Sequence, residues 1–297
     1  MCIGIRQKNY KIFSVNLCAS SAFSALKNSL FFILFVFTVN AQDTTNTKEL
    51  RSLTRSGFDK QYVTSYFKDT RDILIAPAKW KASQWISLAA IGATTGVLFA
   101  YDDEIKKLSQ KLRTPLTNNI SRYGLEPWGK GTYSMPLMAG FYLHGLIWNN
   151  ERSRRVGLLG VKAFILTGVF TQAMKYAFQR HRPDATDNPY IFDSFGGNWK
   201  NESFFSGHAS TFFSIATIIA CEYKDKKLIP PLVYTIAGLA SLSRIHDNRH
   251  WASDVFVGAV VGYSIGKLIY EHNNWGIQIS PAISRNTTGL MILIPVN

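Results

Sequence analysis

Cysteine is nearly absent from this 297-residue chain. There are three, and two of them, Cys2 and Cys18, lie close to the start, so only Cys221 belongs to the main body. A single thiol closes no disulfide and builds no thiolate metal site, which excludes disulfide-stapled scaffolds and zinc-ribbon modules. Other metal signatures are missing too: there is no His-Glu-x-x-His, and the acidic residues form no cluster. No internal repeat and no nucleic-acid-binding motif is present. Acidic residues are scarce, 19 against 33 Lys and Arg. Apolar residues are not: 46% of the chain is hydrophobic, with 20 Phe, 13 Tyr and 7 Trp, which excludes disorder and suffices for a large core. The mean hydropathy is close to zero, between the ranges of soluble enzymes and of chains that mostly cross a bilayer.

The first 41 residues hold Arg6, Lys8, Lys11 and Lys27 and no acidic residue, then an apolar run from Leu30 to Val39 and the exit Asn40-Ala41. A basic flank, about ten apolar residues and a small residue at the exit describe a secretory signal peptide, or a signal anchor if it is retained. Residues 42–83 read as a lead-in, polar to about 58 and then richer in aromatics (Tyr62, Tyr66, Phe67, Trp80) that suit an interface. Residues 84–272 form the core. They contain six apolar segments near 84–101, 131–149, 155–178, 207–222, 228–243 and 252–271, several of them about as long as a bilayer core is thick. The predicted fold is all-α, a bundle of about six core helices embedded in a membrane. A soluble bundle of buried helices is the competing reading, because Lys162 and Lys267 interrupt two segments. In the tail, 273–297, alternating Ile and Leu about Asn286-Thr-Thr-Gly289 predict a short β-hairpin, with Pro281 against it.

Chemistry-bearing residues gather at segment ends. In Lys175-x6-Arg182-Pro183, seven residues make nearly two helical turns, so Lys175 and Arg182 are expected on one face, with Pro183 ending the helix at Arg182. An ammonium and a guanidinium together grip a phosphate; a basic helix end at a membrane surface would read the same way. In Phe205-Ser206-Gly207-His208, Ser206 is an expected N-cap, Gly207 lets a backbone approach a ligand, and His208 is placed to give a proton to a leaving oxygen. An ordinary cap beside a surface histidine is the plainer alternative. In Ser243-Arg244-x5-His250-x3-Asp254, His250 and Asp254 are one helical turn apart, so the carboxylate is expected to hold one ring nitrogen as N–H and free the other lone pair for attack. Arg244 is expected in the loop upstream. A solvated His–Asp pair at a helix start is the alternative.

These three motifs, in order, resemble those of the type 2 phosphatidic acid phosphatase superfamily, which also holds bacterial class A acid phosphatases and vanadium haloperoxidases. The family pattern Lys-x6-Arg-Pro, Pro-Ser-Gly-His, Ser-Arg-x5-His-x3-Asp is met except that Phe205 replaces the proline, which bears on the stiffness of the turn before Ser206. The resemblance covers residues 84–271. It implies His250 as nucleophile, Asp254 as its orienting partner, His208 as acid for the leaving group, and Lys175, Arg182, Ser206, Gly207 and Arg244 as the phosphate cradle, with no cofactor or metal. The implied reaction is hydrolysis of phosphate monoesters or pyrophosphates through a phosphohistidine. Lipid substrates are preferred, among them undecaprenyl pyrophosphate, phosphatidic acid, phosphatidylglycerol phosphate and lipid A. A soluble, broad-specificity periplasmic acid phosphatase and a non-catalytic phosphate- or lipid-binding envelope protein are the alternatives. The expected partners are a phosphorylated lipid and a membrane, not nucleic acid.

Other residues read more plainly. His246 is expected as wall, Arg249 as pointing into or away from the site with equal ease, His144 beside a polar neighbour, and Trp128 and Trp251 as interfacial anchors. The basic clusters Arg152/Arg154/Arg155 and Lys224/Lys226/Lys227 read as cytoplasmic loops, which puts the motifs on the outer, periplasmic side. An exported leader followed by three crossings would put them inside. The expectation that reconciles the two is that the Gly-, Ala- and Ser-rich segment 84–101 does not cross.

Overall fold

In a computed structural model, residues 60–193, 195, 202–273, 278–284 and 287–293 are described. The expected leader and the lead-in up to residue 59 lie outside the described residues. Two compact units are distinguished, residues 56–273 and one that contains the tail from 274 on.

Apart from one isolated bridge, the regular elements described in the larger unit are helices. Its elements are α1 (Lys60–Ile75), α2 (Ala82–Ala100), α3 (Asp102–Lys111), α4 (Pro115–Asn119), a π turn (Ile120–Leu125), α5 (Glu126–Gly129), α6 (Ser134–Ile147), α7 (Glu151–Phe178), α8 (Gly207–Glu222), α9 (Ile229–His246) and α10 (Ala252–His272). Helices α2 and α6 to α10 fall on the six apolar segments, and α1, as long as α8, precedes them in the expected lead-in. Their ends are marked chemically: Asn150 caps α7 by accepting from Ser153 N–H, Ser206 caps α8 by accepting from Ala209 N–H, and prolines stand at the start of α9. Among the described residues three helices, α2, α7 and α10, are long and apolar enough to cross a membrane.

Helix α8 is the axis. Thirteen of its sixteen residues are buried, and it packs on α7, α9 and α10. Its approach to α10 is close because Gly258, Gly262 and Gly266, spaced one turn apart, face its backbone. A methyl group at Gly262 would stand 2.1 Å from the Ser210 carbonyl oxygen, and one at Gly258 2.5 Å from that of Ser206.

The bundle has two chemically different ends. At one end, Arg152 bonds the Glu222 carbonyl and Asp225, and Arg155 pairs with Glu222. Toward that end α1 is fastened: Tyr62 donates to the Leu158 carbonyl, and buried Lys162 is held by Asp69, Ser65 and Asn273. Lys162 is therefore not an interruption of its segment but its tie to α1. At the opposite end lie the close of α7 and α9, the starts of α8 and α10, and Asp102, which follows α2. Helix α2, about 28 Å long at 1.5 Å per residue, thus runs from the α1 end to the end where Asp102 bonds Arg180 and Ser253. Segment 84–101 thus packs along the bundle, with ion pairs beyond each of its ends.

The tail unit contains two antiparallel strands, β1 (Gln278–Ser284) and β2 (Thr287–Leu293). Their pairing puts Ser284 opposite Thr287 and Pro281 opposite Leu290, so Thr287, Thr288 and Gly289, read from sequence as turn, belong to the second strand.

The glycine contact generates a prediction. Gly262→Ala forces α8 and α10 apart and costs about 1–3 kcal/mol as an overpacking substitution. Thermal unfolding should show a midpoint lower by several degrees. An unchanged midpoint would mean that the two helices do not meet this closely.

Candidate active site

Every sequence-predicted site residue lies at the second end of the bundle. Lys175 is in the last turn of α7, Ser206, Gly207 and His208 open α8, Arg244 is in the last turn of α9, and His250 and Asp254 flank the start of α10. Arg244 is therefore helical, not in the loop. Helix α7 does not reach Arg182. It stops at Phe178 because Gln179 turns left-handed (φ 47°), a conformation found mostly with Gly or Asn, and its buried side chain donates back to the Lys175 carbonyl. So Lys175 and Arg182 do not share a helical face. Arg182 comes back to the site from an extended segment, in which Arg180 makes an isolated bridge with Phe192.

His250 is buried, and its Nδ1 lies 2.8 Å from the Ser203 carbonyl oxygen. A carbonyl only accepts, so this contact assigns the proton to Nδ1 and leaves the Nε2 lone pair available. Asp254 was expected to play that part. Its Oδ2 is 3.9 Å from Nδ1, and the carboxylate is engaged instead by Ser203 Oγ (2.5 Å), the Trp251 N–H (3.1 Å) and Arg180 Nη1 (2.5 Å). Asp254 thus steadies the segment that carries the acceptor, and its charge acts on the ring from just beyond hydrogen-bond range. Its backbone carbonyl also accepts from Ser206 N–H, tying the start of α10 to the start of α8.

Around the ring stand the cations. Burial first, and then the charges of Lys175, Arg182 and Arg244, hold the His250 pKa well below that of a free imidazole. Lys175 is nearly buried, and a methyl at Gly207 would stand 3.9 Å from its Nζ. Arg244 is paired with Glu126 (3.3 Å) and Asp247 (3.2 Å), but its Nε has no partner. Arg182 Nε and His208 Nε2 are likewise buried without a hydrogen bond. Three orphaned nitrogens on two guanidiniums and an imidazole, in a ring of positive charge, are what an anion-binding cavity requires. His208 is pressed by the segment before α6: a Cβ at Gly129 would fall 2.6 Å from its ring, and Thr211 of α8 donates to the Gly129 carbonyl. Among the described residues no group of three His, Cys, Asp or Glu side chains is disposed to hold a metal ion.

Some residues differ from their sequence reading. Trp251 is not an interfacial anchor. It is 1% exposed, donating to the His181 carbonyl beneath the site. Trp128 stacks on Phe212. His246 bonds Thr117 and Asp247 as wall, Arg249 turns outward to Asp184, and His144 meets Ser153. Phe205, in place of proline, is 1% exposed and packs on Phe170, so the turn before Ser206 is held by burial. Sequence reasoning missed Ser203, Arg180, Asp102, Glu126 and Gly129. An arginine two residues before the motif arginine was the only local signal for any of them.

The PAP2 superfamily profile matches residues 157–276. The chain is 36% identical over 159 residues to a Lipid A 1-phosphatase of Porphyromonas gingivalis, with 52% of this chain and 31% of that protein covered. It is 29% identical to a PA-phosphatase related-family protein of Dictyostelium discoideum (47% and 55% covered) and 26% identical to Phosphatidylglycerophosphatase B of Bacillus subtilis (63% and 87% covered). The chain therefore spans only about a third and about half of the first two relatives. A crystal structure of a transmembrane PAP2 type phosphatidylglycerolphosphate phosphatase from Bacillus subtilis aligns with 23% identity and a TM-score of 0.47, covering 63% of this chain and 95% of that one.

The buried ring makes stability depend on pH. Above about pH 6.5, the ordinary imidazole value, His250 is neutral whether the chain is folded or not. Below it the unfolded chain takes up a proton that the folded site refuses, so stability falls with pH. The thermal midpoint should drop between pH 6.5 and 5, less steeply in His250→Gln. An identical slope in that variant would place the ring in water. The match to the PAP2 superfamily over 157–276 takes in the whole set from Lys175 to Asp254.

Proposed function

We propose that the protein is a metal-independent phosphatase of phosphorylated lipids, with His250 as nucleophile. The observation that carries this reading is the pairing of a buried imidazole, its Nδ1–H fixed on the Ser203 carbonyl, with a second imidazole and three cations. Binding alone needs cations but no nucleophile, which weighs against the non-catalytic alternative.

The proposed reaction uses this geometry. Lys175, Arg182 and Arg244, with the N–H groups at the start of α8, take the phosphate oxygens, and the free Nε2 of His250 attacks phosphorus in line. The ring becomes an imidazolium as the bond forms, with the Ser203 carbonyl accepting from Nδ1–H and the Asp254 charge nearby. His208 gives a proton to the leaving oxygen, and water then hydrolyses the phosphohistidine with His208 acting as base. Burial first, and then the Arg244 charge, hold the His208 pKa down to about 3; the phosphate dianion offsets the cationic share and so favours the protonated acid.

Lipid substrates are favoured over soluble esters by the three helices of spanning length among the described residues, one of them, α2, with none of its apolar window buried. The names of the relatives point the same way, toward lipid A and phosphatidylglycerophosphate. For orientation, Arg152, Arg154, Arg155, Lys224, Lys226 and Lys227 stand at the end opposite the site, and Lys60, Lys68, Arg71, Lys79 and Lys81 lie in and after α1, which is fastened toward that end. By the positive-inside rule that end is cytoplasmic and the active site periplasmic, an orientation in which the leader does not export α1.

Two measurements test this. Purified protein should release phosphate from short-chain phosphatidic acid in EDTA, be blocked by vanadate, and lose at least about 10³-fold in kcat in His250→Ala, as for removal of a nucleophile; abolition by EDTA overturns the metal-independent reaction. In intact cells, a cysteine at exposed Tyr101 should react with an impermeant thiol reagent and one at Lys226 should not. The reverse pattern inverts the orientation.

A further inference from the structure

Arg180 is absent from every motif that defines the site, yet it is among the most buried side chains in the molecule, with no exposed surface. Its guanidinium is fully committed. Nη1 donates to Asp254 Oδ1 (2.5 Å) and Ser253 Oγ (2.8 Å), and Nη2 to Asp102 Oδ2 (2.8 Å). Nε and Nη2 also donate to the Pro189 carbonyl at 3.0 and 2.9 Å. The group lies over the Phe99 ring at 4.2 Å, with Trp251 at 5.5 Å. Asp102, also buried, accepts in addition from Ser253 N–H (2.9 Å) and Ser253 Oγ (2.5 Å). One guanidinium between two carboxylates leaves the cluster with a net charge of −1, and it stands behind the nucleophile, not in front of it.

Its reach to the reacting ring is through two short chains of bonds. By its side chain Arg180 fixes Asp254, whose other oxygen receives Ser203 Oγ. By its backbone carbonyl it accepts from Ser203 N–H at 2.9 Å. Ser203 in turn supplies the carbonyl on which His250 Nδ1–H rests. Arg180 therefore holds both supports of the ring, and Asp102, carried by the corner between α2 and α3, holds Arg180.

Resting on the phosphatase reading above, we infer that Arg180 and Asp102 are positioning residues for the reaction: they keep Ser203 and Asp254 where His250 presents Nε2 to phosphorus, and they supply negative charge as the ring becomes an imidazolium. Neither touches the phosphate. The charged groups acting on His250 are then Lys175, Arg182 and Arg244 on the cavity side and the Asp254–Arg180–Asp102 cluster behind it, with His208 across the cavity.

The test uses the full-length protein with Arg180→Lys and Asp102→Asn, and Asp69→Asn at the other end of the bundle as a control for loss of a buried ion pair. Both site variants should lose about 10²-fold in kcat, the scale of a misplaced reacting group, while KM and vanadate binding change little. In Asp102→Asn the acidic limb of kcat/KM should move to lower pH, because the imidazolium has lost a favourable charge. Asp69→Asn should lower the thermal midpoint and leave the pH profile in place. A folded Arg180→Lys or Asp102→Asn that keeps kcat within about threefold of wild type, or one whose loss parallels its vanadate binding with an unmoved limb, overturns the inference. Nitrogen NMR of His250 gives a readout independent of turnover. The wild-type ring should be the Nδ1–H tautomer and the variants should show a mixture; a pure Nδ1–H ring in both overturns the inference even if the wild type releases no phosphate, which would itself overturn only the phosphatase reading.

Discussion

The contact between α8 and α10 decides where the chemistry can be. With Gly258, Gly262 and Gly266 against the backbone of Ser206, Ser210 and Ser214, the two helices approach more closely than any residue with a Cβ would allow. His208 lies in the first turn of one helix and His250 just before the first turn of the other. Setting their starts side by side, with Ser206 N–H bonded to the Asp254 carbonyl, brings the two imidazoles to the same end of the bundle. The remaining site residues are delivered by helices ending where these two begin: Lys175 from α7 and Arg244 from α9. Successive antiparallel helices, α7 to α10, produce this alternation of starts and stops, so a site assembled from helix ends is a consequence of the topology.

The second constraint is electrostatic. Buried cations repel one another and are costly to desolvate unless something compensates them. Behind His250 the compensation is internal, through Asp254, Arg180 and Asp102. In front of it, Glu126 and Asp247 take part of Arg244, and buried nitrogens of Arg182, Arg244 and His208 stay without partners. The molecule thus has a satisfied polar layer that positions and an unsatisfied one that awaits an anion. At the other end of the bundle, Lys162 shows a buried charge used for fastening, its three donors taken by Ser65, Asp69 and Asn273.

Much of this was legible in the sequence, and the parts that were not share a cause. Six apolar segments announced six long helices because length and composition are local properties. The residues of the three motifs were identifiable because their spacing within each motif is local too. What failed depended on distant contacts or on unusual backbone. Lys175 and Arg182 were expected on one face, but a left-handed Gln179 intervenes, a conformation rarely adopted by a side chain of this kind. Asp254 was expected on His250, but the Ser203 carbonyl, 47 residues away in sequence, takes the ring nitrogen. Asp102 and Arg180 are 78 residues apart, and no spacing rule connects them. Trp251 read as an interfacial anchor because tryptophan favours that place, whereas its neighbours in the fold bury it.

A covalent bond between His250 and phosphorus is the step on which the proposed chemistry rests. Turnover of radiolabelled phosphatidic acid, quenched in alkali after milliseconds, should leave protein-bound label that is stable to base, lost in acid, and located by peptide mapping at His250. Label at any other residue, or no label in the wild type under conditions where phosphate is being released, would contradict it.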